Sequence, residues 1–237
     1  MKLAPMLAAI LILPVLVALG FWQLDRAKEK RDLQEEYDRR ANDEAIRITA
    51  QPQPVEALRF YRVIVTGEYD SEFQILLDNR VHRGQAGYHV LTPVKIGGGD
   101  TRILINRGWI PLGKSRTDLP VIQTPSGVVT ITGLATVPLK GGFHLGPADR
   151  TDQPWYPVWQ YLELERYQER VPFAIQPVVL LLDPDSQVGG FEREWQRLDT
   201  GIAVHQGYAF QWFSLAIALL IIVLFFNFRD AASKIVK

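Results

Sequence analysis

The sequence predicts a membrane protein in which two transmembrane helices flank a mainly antiparallel β domain of barrel or sandwich type, within an α+β architecture. Three observations carry this expectation. Leu3–Leu24 of the 237-residue chain contains no charged residue, Thr200–Phe228 contains none either, and from Leu58 onward the segment between them is patterned with a period of two. Each apolar run reaches the ~20 residues a helix needs to cross a bilayer core of ~30 Å, and alternation over short runs is the signature of half-buried strands.

The first span is placed at residues 3–24. Met1-Lys2, the apolar run and Ala18-Leu19-Gly20 also match a secretory signal cleaved before Phe21, but the run exceeds the 7–15 residues of such a core. It is therefore read as a retained helix, with Pro14 tolerated as a kink. Residues 25–45 form a charged helical stalk, with Glu35 and Arg39, and Glu36 and Arg40, spaced to pair along it. Ala50–Pro54, rich in proline and glutamine, ends it.

The β-rich domain is assigned to residues 55–204. In FYRVIVTGEY, Tyr61, Val63 and Val65 face one way and Arg62, Ile64 and Thr66 the other. FQILLD, Gly87–Ile96 and Thr101–Ile110 repeat the habit, and Gly97-Gly98-Gly99-Asp100 is a hairpin turn between the last two. Val128–Val137, Pro157–Tyr161, Ala174–Asp183 and Glu194–Thr200 complete eight strand candidates, with one helical interruption at Leu162–Arg170. Trp109 is expected in the core. The second span, residues 207–228, begins among Tyr208, Phe210, Trp212 and Phe213 and ends on Phe225, Phe226 and Phe228. Such rings settle at headgroup depth, and Trp22 marks the corresponding end of the first span.

Two spans place both termini on one side of a membrane and the segment between them on the other. Charge does not settle which side. Arg26, Lys28, Lys30, Arg31, Arg39, Arg40, Arg193 and Arg197 lie near the ends of the middle segment, against Lys2, Arg229, Lys234 and Lys237 in the tails. A positive-inside count puts the middle segment in the cytoplasm, yet loops longer than ~60 residues translocate largely regardless of charge.

Composition removes several function classes. Without Lys2, Arg229, Lys234, Lys237 and Asp230, the middle segment holds 22 basic and 25 acidic residues, the wrong balance for a nucleic-acid binder, which must displace counterions. The chain has no cysteine, which excludes thiolate zinc sites, disulfides and cysteine nucleophiles. Its two methionines disfavour a copper chaperone. No nucleophile elbow, zinc-protease helix, P-loop or dinucleotide fingerprint occurs, and Asp183 and Asp185 around Pro184 read as a turn.

Four histidines remain. His82 and His89 read as structural or surface groups, as does His144 in a glycine-rich loop, because a metal site needs several converging ligands. His205 shares a helix face with Tyr208 and Trp212 at i+3 and i+7. Two readings stand side by side for it: a polar interfacial residue ending a span, or an axial ligand for an apolar macrocycle such as haem, whose iron accepts histidine.

LGFWQLDRAKEK at Leu19–Lys30, FYRVIVTGEYD at Phe60–Asp70, GYHVLTPV at Gly87–Val94, ILINRGWIP at Ile103–Pro111 and HQGYAFQWFSLA at His205–Ala216 together resemble the surfeit locus protein one family. Its members are assembly factors for haem-copper cytochrome c oxidase. The resemblance implies a multi-pass protein of the bacterial or mitochondrial inner membrane, with its central domain on the periplasmic or intermembrane side. It also implies a non-enzymatic role in maturing oxidase subunit I, haem a as bound or transferred ligand, and haem a synthase as a second partner. Matched to the family's segments are Gly20, Trp22, Gln23 and Arg26, then Asn106, Arg107, Gly108 and Pro111, then His205, Tyr208, Ala209 and Trp212. The resemblance associates His205 with the haem iron. Tyr208, Trp212 and Trp22 surround that position in this reading, and Arg26, with Lys28, is placed to meet the propionates. The chain departs from the family pattern at Gly201–Val204, where polar, asparagine-rich sequence is expected. A scaffold that stabilises oxidase intermediates without binding a cofactor is the alternative function.

Overall fold

The computed structural model describes residues 3–113, 118–138, 155–195 and 201–235, without the side chains of 3–5 and 228–235. The chain divides into two compact units. Residues 1–36 and 197–237 form one, and residues 37–196 form the other.

The first unit is built from two long helices, α1 (Leu3–Ala41) and α4 (Ile202–Ile235), with α1 reaching past residue 36. Both contain segments long and apolar enough to cross a membrane. The buried and half-buried positions of α1 include Ala9, Leu13, Leu16, Gly20, Gln23, Ala27 and Lys30; those of α4 include Ile202, His205, Ala209, Trp212, Ala216, Leu219 and Val223. Alternate steps of three and four keep one face of each helix on a partner. The most deeply buried positions are small, apart from Gln23, as expected where van der Waals approach rather than hydrophobicity drives helix pairing in lipid.

The second unit contains β1 (Ile46–Arg47), α2 (Val55–Leu58), β2 (Arg62–Tyr69), β3 (Ile75–His82), β4 (Gln85–Ile96), β5 (Arg102–Pro111), β6 (Val128–Thr136), β7 (Val158–Trp159), α3 (Leu164–Arg170) and β8 (Ile175–Leu182). Strand β2 pairs with β6 and also with β4, β6 with β8, β8 with β5, and β5 with β4. This closes a five-stranded ring. Strands β3 and β7 extend from β4, and β1 lies on β2. Most pairings are antiparallel, but β1–β2, β3–β7 and β5–β8 are parallel.

Closure depends on Gly67, which pairs with Val129 of β6 and Ile96 of β4. A Cβ there would collide with the Lys95 carbonyl oxygen, so the chain changes partner at a residue with no side chain. One core cluster contains the alternating residues Val63, Val65, Val94, Ile96, Ile103, Ile105, Ile131, Val178, Leu180 and Leu182. A second gathers Ile75, Leu77, Leu91, Leu104 and Val179 with Trp159 and with Tyr167 of α3.

The expected alternation of β2, the Gly97–Asp100 hairpin and the helical interruption are all present. One strand differs. Glu194 and Trp195 lie outside any strand, and only Glu192 forms a single bridge, to Trp109; residues 196–200 lie outside the described residues. The eighth strand is instead β1, which at two residues is too short to show a period. His82 ends β3, and His144 lies outside the described residues.

Trp109 is buried and its indole N–H donates to the Arg80 carbonyl at 2.9 Å. Arg107 is fully buried. Its guanidinium donates to the Gly189 carbonyl (2.6 Å), the Gln123 carbonyl (2.5 Å) and Thr124 Oγ1 (3.0 Å). It thereby ties two loops to the ring through acceptors that carry no charge.

Candidate functional site

The site is built where α1 and α4 meet. His205 lies in the first turn of α4, which follows Gly201. Four residues later Ala209 is buried in the same seam. Opposite, Gly20 leaves the space that the Phe213 ring fills, since a Cβ at Gly20 would stand 2.6 Å from that ring. Phe21 meets Phe213 edge-on with ring centroids 5.4 Å apart.

One turn from Gly20, Gln23 turns its amide inward and is only 8% exposed. Its Oε1 is 2.7 Å from His205 Nδ1. An amide oxygen only accepts, so Nδ1 carries the proton and donates it. The lone pair of the neutral ring then resides on Nε2. Holding one imidazole nitrogen as a donor while the other remains a free base is the arrangement that orients histidine ligands at metal centres.

The other residues expected at this site are less closely joined. Tyr208 and Trp22 are largely exposed, while Trp212 is half-buried in the seam. Among the described residues no hydrogen bond or ring contact links these three to His205. Arg26 pairs with Glu29 at 2.5 Å on an exposed face, so an incoming carboxylate at Arg26 would compete with an acid already there. Gln23 is the partner whose role sequence reasoning missed. Its signal was present as a lone amide in an otherwise apolar stretch, in register with the small residues of the seam.

Among the described residues no group of three or more histidine, cysteine or acidic side chains converges on a metal-binding point. An iron already held by a macrocycle would ask for fewer ligands from the protein, and His205, its Nδ1 fixed by Gln23, is the described residue that could offer it a nitrogen.

Comparison with known proteins follows the same residues. The SURF1 family profile matches residues 10–217, which include Gln23, His205 and part of each helix of the seam. A SURF1-like protein of Caenorhabditis elegans is 28% identical over 89% of this chain and 70% of its own length. Surfeit locus protein 1 of Xenopus tropicalis is 24% identical over 88% of this chain and 71% of its own. A SURF1-like protein of Rickettsia felis is 26% identical, covering 93% of this chain and 96% of its own.

Proposed function

Because the chain belongs to the SURF1 family, we propose that it assists assembly of haem-copper cytochrome c oxidase by receiving haem a at His205 and passing it toward subunit I. The observation that supports this most directly is the Gln23–His205 hydrogen bond, which leaves Nε2 as a free base at the start of α4. Haem, when bound, would supply an iron that takes a nitrogen ligand; His205 would hold it, oriented by Gln23 in an apolar setting. No covalent reaction is assigned to the protein.

Position matters as much as ligation. The isoprenoid tail of haem a gains about 0.8 kcal/mol for each CH₂ removed from water, so it favours the bilayer. A base at the end of a spanning helix lets the tail remain in lipid while the iron is held at the surface. Tyr208, Trp212 and Trp22 provide rings at that depth. Arg26 offers a cation for a propionate in exchange for Glu29. In this reading the β-rich domain stands on the periplasmic or intermembrane side, and haem a synthase is the donor.

The test is the visible spectrum of the full chain purified in detergent from cells that make haem a. Wild-type protein should carry haem; His205→Ala should lose most of it while remaining folded and membrane-inserted. Gln23→Leu, which keeps an apolar seam but removes the acceptor, should retain less haem than wild type. Undiminished haem in His205→Ala would remove that residue as ligand, and haem-free wild type would favour the scaffold.

A further inference from the structure

The β-rich unit contains a second constellation, which shares no residue with the Gln23–His205 pair. Both hydrogen-bond ladders of β4 are interrupted beside His89. Toward β3, pairing passes from Leu77 with His89 to Arg80 with Gly87, so β3 carries one extra residue. Toward β5, it passes from His89 with Trp109 to Leu91 with Asn106, so β5 carries one extra residue as well. Bulges re-aim the side chains beside them, and these two flank the same residue on a central strand.

Two cavities open there. One, of about 550 Å³, is lined by polar groups including Arg80, His82, His89 and Glu192. The other, of about 490 Å³, is lined by Leu77, Leu91, Val179 and Leu181 among others. Arg80, His89 and Trp195 line both. The polar and apolar chambers therefore share walls, and the shared polar groups are hydrogen-bond donors.

Arg80 lacks a counterion among the described residues. Glu192 lies 2.7 Å from His82, and Glu194 pairs with Arg83. The Nε of Arg80 is buried with no hydrogen-bond partner. Burial also draws the guanidinium below its ordinary pKa, because desolvation disfavours its charged form. Beside it, Asn106 Nδ2 is 3.2 Å from His89 Nδ1. With the amide as donor, His89 Nδ1 accepts and Nε2–H becomes a second donor. The neutral ring is favoured because burial, then the charges of Arg80 and His82, lower its pKa to about 4.

We propose that these adjoining cavities bind a carboxylate-bearing amphiphile, its carboxylate on Arg80 and His89 and its apolar body against Leu77, Leu91, Val179 and Leu181. A carboxylate satisfies the unpaired guanidinium through charge-assisted hydrogen bonds, and an apolar body removes the second chamber from water. This site is independent of His205 and stands whether or not that residue holds haem.

The experiment is isothermal titration calorimetry of the full chain in lipid nanodiscs with 4-phenylbutanoate, empty nanodiscs being subtracted, in a His205→Ala background. Saturable binding is expected. It should weaken by about tenfold or more in Arg80→Gln and for the neutral 4-phenylbutanol, the size of a lost hydrogen bond to a charged group. Arg62→Gln, at the exposed pair with Asp183, should leave it unchanged. Should Arg80→Gln fail to fold, His89→Gln tests the same donor pair. Absence of saturable binding, or undiminished affinity in a folded Arg80→Gln, overturns the proposal. Displacement of the probe by dodecanoate or by metal-free protoporphyrin upholds it and separates an acyl chain from a planar tetrapyrrole; displacement by neither overturns the amphiphile.

Discussion

His89 is the side chain whose ionisation the fold perturbs most usefully. Its pKa in the folded protein falls to about 4, through burial first and then the charges of Arg80 and His82, against about 6.5 in an unfolded chain. The unfolded state therefore binds a proton that the folded state refuses, and stability should decline as pH falls from about 6.5 toward 4. The shift bounds this loss at about 3 kcal/mol, and His89→Gln should flatten the decline when unfolding of the full chain is followed by near-ultraviolet circular dichroism. Trp109 is a second residue with a calculable weight. It is buried and hydrogen-bonded to Arg80, so Trp109→Ala should destabilise the domain by about 3–5 kcal/mol; an unmoved melting temperature would remove it from the core. The sequence indicated Trp109 and His205 because their types and positions are unusual where they stand. It could not indicate that Gln23 meets His205, since that contact spans 182 positions. Nor could it show that Arg107 would be wholly buried on neutral acceptors.

The two-helix seam depends on small residues, and Gly20 is the tightest point described in it. Gly20→Val would drive a side chain into the Phe213 ring, separating α1 from α4 and lengthening the Gln23–His205 contact. On the proposed function this variant should insert in the membrane yet carry less haem, while Gly207→Ala, where an added Cβ meets nothing within 4 Å, should match wild type. Co-purified haem per protein checks both. The helices and most strands were legible because apolar runs and strict alternation are local. β1 was not, because two residues define no period, and Glu194 and Trp195, the described part of the strand expected at Glu194–Thr200, lie in no strand. Ring closure was equally invisible. It rests on β2 pairing with β4 as well as β6, a long-range choice that an alternating pattern permits without specifying.

At the scale of the whole chain, the two apolar helices indicate membrane association, and the side occupied by the β-rich domain is a separate question. On the proposed topology, alkaline phosphatase inserted in the Gly97–Asp100 turn should be active in a bacterial host, and the same enzyme fused after Lys237 inactive. The reverse pattern would place the domain in the cytoplasm. The ring also imposes an order in time. Strand β8 occupies the gap between β5 and β6, although it is the last strand among the described residues. Until Ile175–Leu182 has emerged during synthesis, β5 and β6 lack their shared neighbour and retain unpaired edges. The apolar α4 follows soon after. Long-range pairing of this kind is slow and leaves strands open to misassociation. Maturation of the domain should therefore be sensitive to the pace at which its final segment is delivered, and a truncation before Ile175 should yield an open, aggregation-prone sheet rather than a smaller barrel.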